Sequence, residues 1–169
     1  SRFAQVQDGS LVTLTEAAAA FPRIPGVTFP TVVNGLRLLD FGPRFGPTGG
    51  WLTTLPPGRG REYQVLVPKT NSDGLDIGGV RTVDIPVPVG TSTGWNLMAA
   101  GPRGADLCMW NGSFFPFATT KADRLAAADP RPSLEERYKD HAGFVMAVER
   151  ESRRSVTERL LLEEDARRL

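Results

Sequence analysis

The sequence predicts an α+β protein: a small mixed or antiparallel sheet with long Gly/Pro-rich loops, followed by a C-terminal helical segment. Three observations carry that expectation. Residues 1–132 hold all 14 prolines and 17 of the 18 glycines, while residues 133–169 hold Gly143 alone. Glycine and proline punctuate turns and interrupt helices, so the first stretch reads as short strands and loops. Those last residues also carry 17 of the 39 charged side chains. Third, Ser133 stands three residues before Glu136, directly after Pro130 and Pro132. That is the spacing of a capping box, in which the hydroxyl accepts a free amide and the carboxylate reaches back.

From Ser133 the positions Leu134, Tyr138, Ala142, Val145, Val148, Ser152 and Val156 recur at three- and four-residue steps. They predict one helix running to about Arg159, with a single apolar stripe. Glu135, Arg137, Lys139, Glu149, Arg150 and Arg153 fall on its solvated face. Leu160, Leu161 and Leu162 are expected to pack down, and a short helix over Glu163 to Leu169 closes the chain, acids first and arginines last. Upstream, Thr120 and Asp123 predict a short helix near 120–128, stopped by Asp129-Pro130. Ala17 to Phe21 reads as a helical turn. Strands are expected at Leu36 to Phe41, Tyr63 to Val67, Val83 to Val87 and Asp106 to Trp110. Pro86 and Pro88 assign the third of these to a sheet edge, because proline cannot donate to a ladder. Phe41 to Gly50 and Pro56 to Gly60 read as loops. The expected organisation is one structural domain, residues 1–132 as a loop-rich β region and residues 133–169 packed on it. So loop-rich a chain, opening at Ser1 without an initiator methionine, is expected to be a piece of something larger.

Composition narrows the function classes. The chain has 169 residues, 40% of them hydrophobic, and a net charge of +1, which excludes the positive field of a dedicated nucleic-acid binder. No apolar run approaches the roughly 18 residues of a membrane span. One cysteine, Cys108, makes no internal disulfide, and one histidine, His141, leaves no ordinary Cys/His zinc site. No cofactor fingerprint is present.

The sharpest motif is Gly90-Thr91-Ser92-Thr93-Gly94, a literal G-x-S-x-G nucleophile elbow. Asp106, Asp123, Asp129 or Asp140 and then His141 would complete the order Ser, Asp, His. An elbow needs a buried strand before it and a helix after it. Here Pro86 and Pro88 precede, Gly101-Pro102 follows, and His141 falls inside the expected long helix, so a plain glycine turn is the better reading. Asn71, Asp73 and Asp76 with Gly74 faintly suggest a calcium loop, but the glycine comes early and the closing glutamate is absent. A polar turn between strands fits better. Cys108 reads as a buried, inert thiol. Arg103, Arg124, Arg131 and Arg137, scattered among acids, read as solvated charges with local ion pairs. Trp110, Phe114, Phe115 and Phe117 read as a core cluster, with a contact surface involving Trp51 and Trp95 as the alternative.

Several stretches then carry a resemblance. They are Tyr63 to Pro68, Asn71 to Arg81, Val87 to Leu97 and Gly112 to Phe117, followed by Asp129 to Tyr138 and Glu158 to Leu162. In this order, and with Ser1-Arg2-Phe3 and Asp8 to Val12 at the start, the chain resembles the C-terminal region of bacterial alpha/beta hydrolase domain-containing proteins, over nearly its whole length. The resemblance implies that the serine elbow and the histidine-bearing loop lie upstream of Ser1. It also implies that Gly90 and Ser92 stand where relatives carry alanine and tyrosine, so no catalytic residue carries over.

The expected function is therefore a non-catalytic C-terminal accessory domain of an esterase- or lipase-like hydrolase. Its partner would be the upstream hydrolase core, or a second copy by self-association. The rivals are a stand-alone binding module and a minimal serine hydrolase built on Ser92 and His141. The sequence assigns no compartment.

Overall fold

Short elements dominate the computed structural model, which describes residues 8–30, 37–47, 49–98, 108 and 111–169. The described residues form a mixed arrangement of small antiparallel sheets and five helices. Strand β1 (Leu11–Thr13) runs into helix α1 (Leu14–Ala20), which Thr13 and Glu16 start with a capping box. Strands β2 (Arg37–Asp40), β3 (Gly58–Glu62), β4 (Leu66–Pro68), β5 (Gly90–Thr93) and β6 (Ser113–Pro116) follow. They do not join into one sheet. β1 pairs with β4, β2 with β3 and β5 with β6, each as an antiparallel pair.

The second half is helical: α2 (Lys121–Ala126), α3 (Leu134–Tyr138), α4 (His141–Thr157) and α5 (Glu163–Ala166). Thr120 with Asp123 and Ser133 with Glu136 both close full capping boxes. The expected single helix after Ser133 is broken in two. Lys139 adopts φ +65°, and Asp140 caps a fresh helix by accepting from the Gly143 amide at 2.9 Å. Gly143 permits the break. A Cβ there would meet the Tyr138 carbonyl oxygen at 1.9 Å, so any larger residue would drive the two helices apart.

The break also turns the inward face. On α4 the buried positions are Ala147, Glu151, Ser152 and Ser155, while the expected stripe residues Ala142 and Val145 are exposed. The helix ends at Thr157 in a Schellman motif: Leu160 donates to Ser155 and Arg159 to Val156, with Arg159 at φ +61°. Of the three following leucines, Leu161 packs on the core and Leu160 and Leu162 stay exposed.

Two small apolar cores hold these pieces. One combines Val83, Val87 and Ala147 with Tyr138, Phe144, Val148 and Leu161. Val83 to Val87 is a turn here and not a strand: Val87 donates to Val83 at 3.0 Å, which brings both valines to the same side. The other lies near α1, where Ala17, Ile24 and Leu75 are buried. There Phe21, Phe29 and Trp95 form a three-ring cluster with centroids 5.1–5.8 Å apart. Gly74, at φ +79°, lets the 71–76 turn press onto this cluster, since a Cβ would stand 2.9 Å from the Phe21 ring. Pro56 to Gly60, read as loop, contributes Gly58, Arg59 and Gly60 to β3. The candidate strand Asp106 to Trp110 lies outside the described residues except for Cys108, whose amide donates to Asn96 at 2.7 Å.

Candidate functional site

Ser92 lies in β5, opposite Phe114 of β6. The G-x-S-x-G match is thus neither an elbow nor a turn but one edge of a strand pair. Alternation along β5 buries Thr91 and exposes Ser92. Ser92 lines a cavity of about 520 Å³ together with Val83, Val87, Phe114 and Val148. His141 is the first residue of α4 and exposed. It lines a different cavity of about 430 Å³, beside Leu134, Tyr138 and Lys139. Val89 and Phe144 border both spaces. No hydrogen bond joins Ser92 to His141, and Asp140 spends its carboxylate on the Gly143 amide.

The calcium-like turn is used internally. Asn71 Oδ1 accepts from the amides of Asp73 and Leu75 at 2.9 and 3.0 Å. The Asp73 carboxylate takes both ends of the Arg137 guanidinium, with Nη1 at 3.0 Å from Oδ2 and Nη2 bonded to Oδ1. Asp76 follows the turn, its backbone bridged to Thr70. Among the described residues no group of three or more His, Cys, Asp or Glu side chains is arranged to hold a metal.

The densest polar arrangement is one that sequence reasoning missed. Arg131, which reads as a solvated charge, is 3% exposed. Its guanidinium is paired with Asp129 and donates to Thr91 Oγ1 at 2.8 Å and to the carbonyls of Phe115 and Pro116 at 2.9 and 3.3 Å. Thr91 in turn donates its hydroxyl to the Asp73 carbonyl oxygen. Phe117 lies between two cations, with Arg131 5.0 Å and Arg137 4.1 Å from its ring centre. Burial raises the Asp129 carboxyl, but the bonds from Arg131 outweigh it and hold the group below its ordinary value.

Tyr138 adds a bond from its hydroxyl to the Pro88 carbonyl at 2.7 Å. Arg124 then grips Glu136 through Nε and Nη2 at 2.8 and 2.9 Å. Every charged group in this junction has a protein partner, so its chemistry is structural: it ties the 71–76 turn, β5, β6 and α3 together. The recognisable signal was the Asp129-Pro130-Arg131-Pro132-Ser133 run itself, dense in turn and charge residues beside a helix start.

The aromatic candidates separate. Phe117 is buried in this junction and Phe114 is exposed beside Ser92, while Phe115 faces the opposite side of β6. Trp95 belongs to the three-ring cluster. Trp51 is 61% exposed, under the Arg44 guanidinium at 5.1 Å. Trp110 and Arg103 lie outside the described residues. No helix among the described residues is long and apolar enough to cross a membrane.

Comparison with known families gives one match: the model of the family described as alpha/beta hydrolase domain covers residues 27–169. Neither the curated proteins nor the solved structures contain a match.

Proposed function

Because this chain belongs to the alpha/beta hydrolase domain family, we propose that it serves a hydrolase as a non-catalytic accessory region, covering the catalytic core and shaping the substrate entrance. The observation that carries this reading is the separation of Ser92 from His141. A serine hydrolase needs a histidine within hydrogen-bond reach of its nucleophile, oriented by a third group. His141 is the one histidine in the sequence, and it borders a different cavity from Ser92. The antiparallel strand around Ser92 also lacks the strand-to-helix bend that presents an elbow serine beside an oxyanion hole.

The exposed apolar side chains of β2 and of the connection between β2 and β3 support the covering role. Leu38, Leu39, Trp51, Leu52 and Leu55 are all exposed, an arrangement that suits burial against a partner surface.

The test is hydrolysis of p-nitrophenyl esters by the purified chain, alongside Ser92→Ala and His141→Ala. The expected result is no turnover above buffer in any of the three. Turnover that both substitutions abolish would replace the accessory reading with a minimal serine hydrolase.

A further inference from the structure

Asn111 stands immediately before Gly112 at the entrance to β6, and both residues are exposed and outside any strand or helix. Gly112 has no substitute there. A Cβ would stand 2.2 Å from the Thr93 carbonyl oxygen, so the approach of β5 to β6 keeps a glycine after Asn111. Asparagine is a chemically labile side chain. With no side chain on the next residue, nothing shields the Asn111 carboxamide carbon from the Gly112 amide nitrogen, and glycine gives the backbone the freedom to bring the two together.

The other described asparagines are built differently. Asn71 precedes Ser72, and its side-chain oxygen accepts from the amides of Asp73 and Leu75 at 2.9 and 3.0 Å. Asn96 precedes Leu97, is half-buried, and its carbonyl accepts from the Cys108 amide at 2.7 Å. Each has a bulkier successor and a hydrogen bond that holds its side chain or backbone in place.

We propose that Asn111 is a site of spontaneous covalent modification, deamidating to aspartate and isoaspartate in the folded chain. The Gly112 amide nitrogen loses its proton to hydroxide and attacks the Asn111 Cγ, a ring closure between groups already side by side. The N–Cγ bond forms, the Cγ–Nδ2 bond breaks, and the side-chain nitrogen takes protons from water and leaves as ammonia. Water then opens the cyclic imide. Attack at Cγ yields aspartate, and attack at the main-chain carbonyl carbon yields isoaspartate, in which the chain runs through Cγ. Either product adds a negative charge. Isoaspartate also adds a methylene to the main chain just before Ser113, whose amide donates to Thr93 Oγ1 at 3.2 Å across the strand pair. The site is independent of the accessory reading and stands whether or not the chain hydrolyses esters.

The experiment is tryptic peptide mapping by mass spectrometry of the folded full chain, aged in mildly alkaline heavy-oxygen water, beside the same chain aged in denaturant. The Asn111 peptide is expected to exchange its amide for a carboxyl carrying one heavy oxygen, and to split on chromatography into isoaspartyl and aspartyl isomers. It should convert about tenfold faster than the Asn71 and Asn96 peptides. Asn34-Gly35, outside the described residues, falls in a separate tryptic peptide. Mildly acidic buffer should slow the conversion, because the attacking amide must lose its proton. Asn111→Gln, which would need a larger ring, should leave that peptide unchanged. An Asn111 peptide that stays intact in the folded chain while it converts in denaturant would overturn the proposal. So would Asn71 and Asn96 converting as fast as Asn111, or conversion undiminished in Asn111→Gln.

Discussion

Ala128 shows how a single residue can carry strain without a function attached. It sits at φ +54° just beyond α2, where Asp129 donates to Arg124 and Ala128 to Leu125. These are the two bonds of a Schellman motif, whose left-handed position favours glycine because a Cβ there approaches the following carbonyl. Ala128→Gly is therefore expected to stabilise the chain by about 0.5–1 kcal/mol. Ala126→Gly, inside the same helix, should destabilise it by roughly 1 kcal/mol. Urea denaturation of the two variants checks the signs, and a loss of stability in Ala128→Gly would refute the assignment.

At this scale the sequence was legible where the chemistry is local. The hydroxyl–carboxylate spacings at Thr120 and Ser133 need no distant partner to act. For Arg131 only the local part was legible, its pairing with Asp129 in a run dense in turn and charge residues; its bonds to Thr91, Phe115 and Pro116 come from distant segments, and nothing in the local sequence says that these converge on one guanidinium.

Among the elements, α3 is tied at its first turn by Glu136. The bonds from Arg124, then from the Ser133 amide and hydroxyl, hold its carboxyl down to about 2 against an ordinary 4.5. A carboxyl favoured in its ionised form stabilises the fold above its unfolded value, and that contribution disappears as pH falls through the folded one. Wild-type thermal stability should thus decline between about pH 4.5 and pH 2, and Glu136→Gln should decline less steeply over that window. Melting curves recorded across it give the comparison; parallel profiles for the two proteins would show that Glu136 has no such role.

The helix break after Tyr138 marks the limit of periodicity as evidence. The three- and four-residue spacing continues across Lys139 and Asp140 unchanged, so a helical pattern runs through a point where the backbone turns. The useful signal was Asp140 three residues before Gly143, an N-cap spacing followed by the single glycine of the C-terminal segment. Val83 to Val87 failed for the converse reason. Its valines are four apart, and a single turn buries both as readily as a strand would bury one face.

For the molecule as a whole, the balance of buried and exposed apolar surface is the informative quantity. Among the described residues the buried apolar side chains are Ala17, Ile24, Leu75, Val83, Val87, Phe117 and Ala147. Most are small, and Phe117 is flanked by two arginines. The β2–β3 ribbon, by contrast, exposes every residue of β2, with Leu39 52% exposed. A two-stranded ribbon with no third strand is marginal in water unless another surface covers it. The apolar content that suggested an ample core is thus partly spent outward, a division that composition cannot reveal.

That outward face makes the accessory account testable on the isolated chain. Sedimentation velocity over a range of protein concentrations, with wild type beside the double variant Leu38→Lys and Leu39→Lys, is the most direct measurement. The account predicts concentration-dependent association of the wild-type chain, lost in the double variant while its circular dichroism is retained. A wild-type chain that sediments as an 18.3 kDa monomer at every concentration would contradict it.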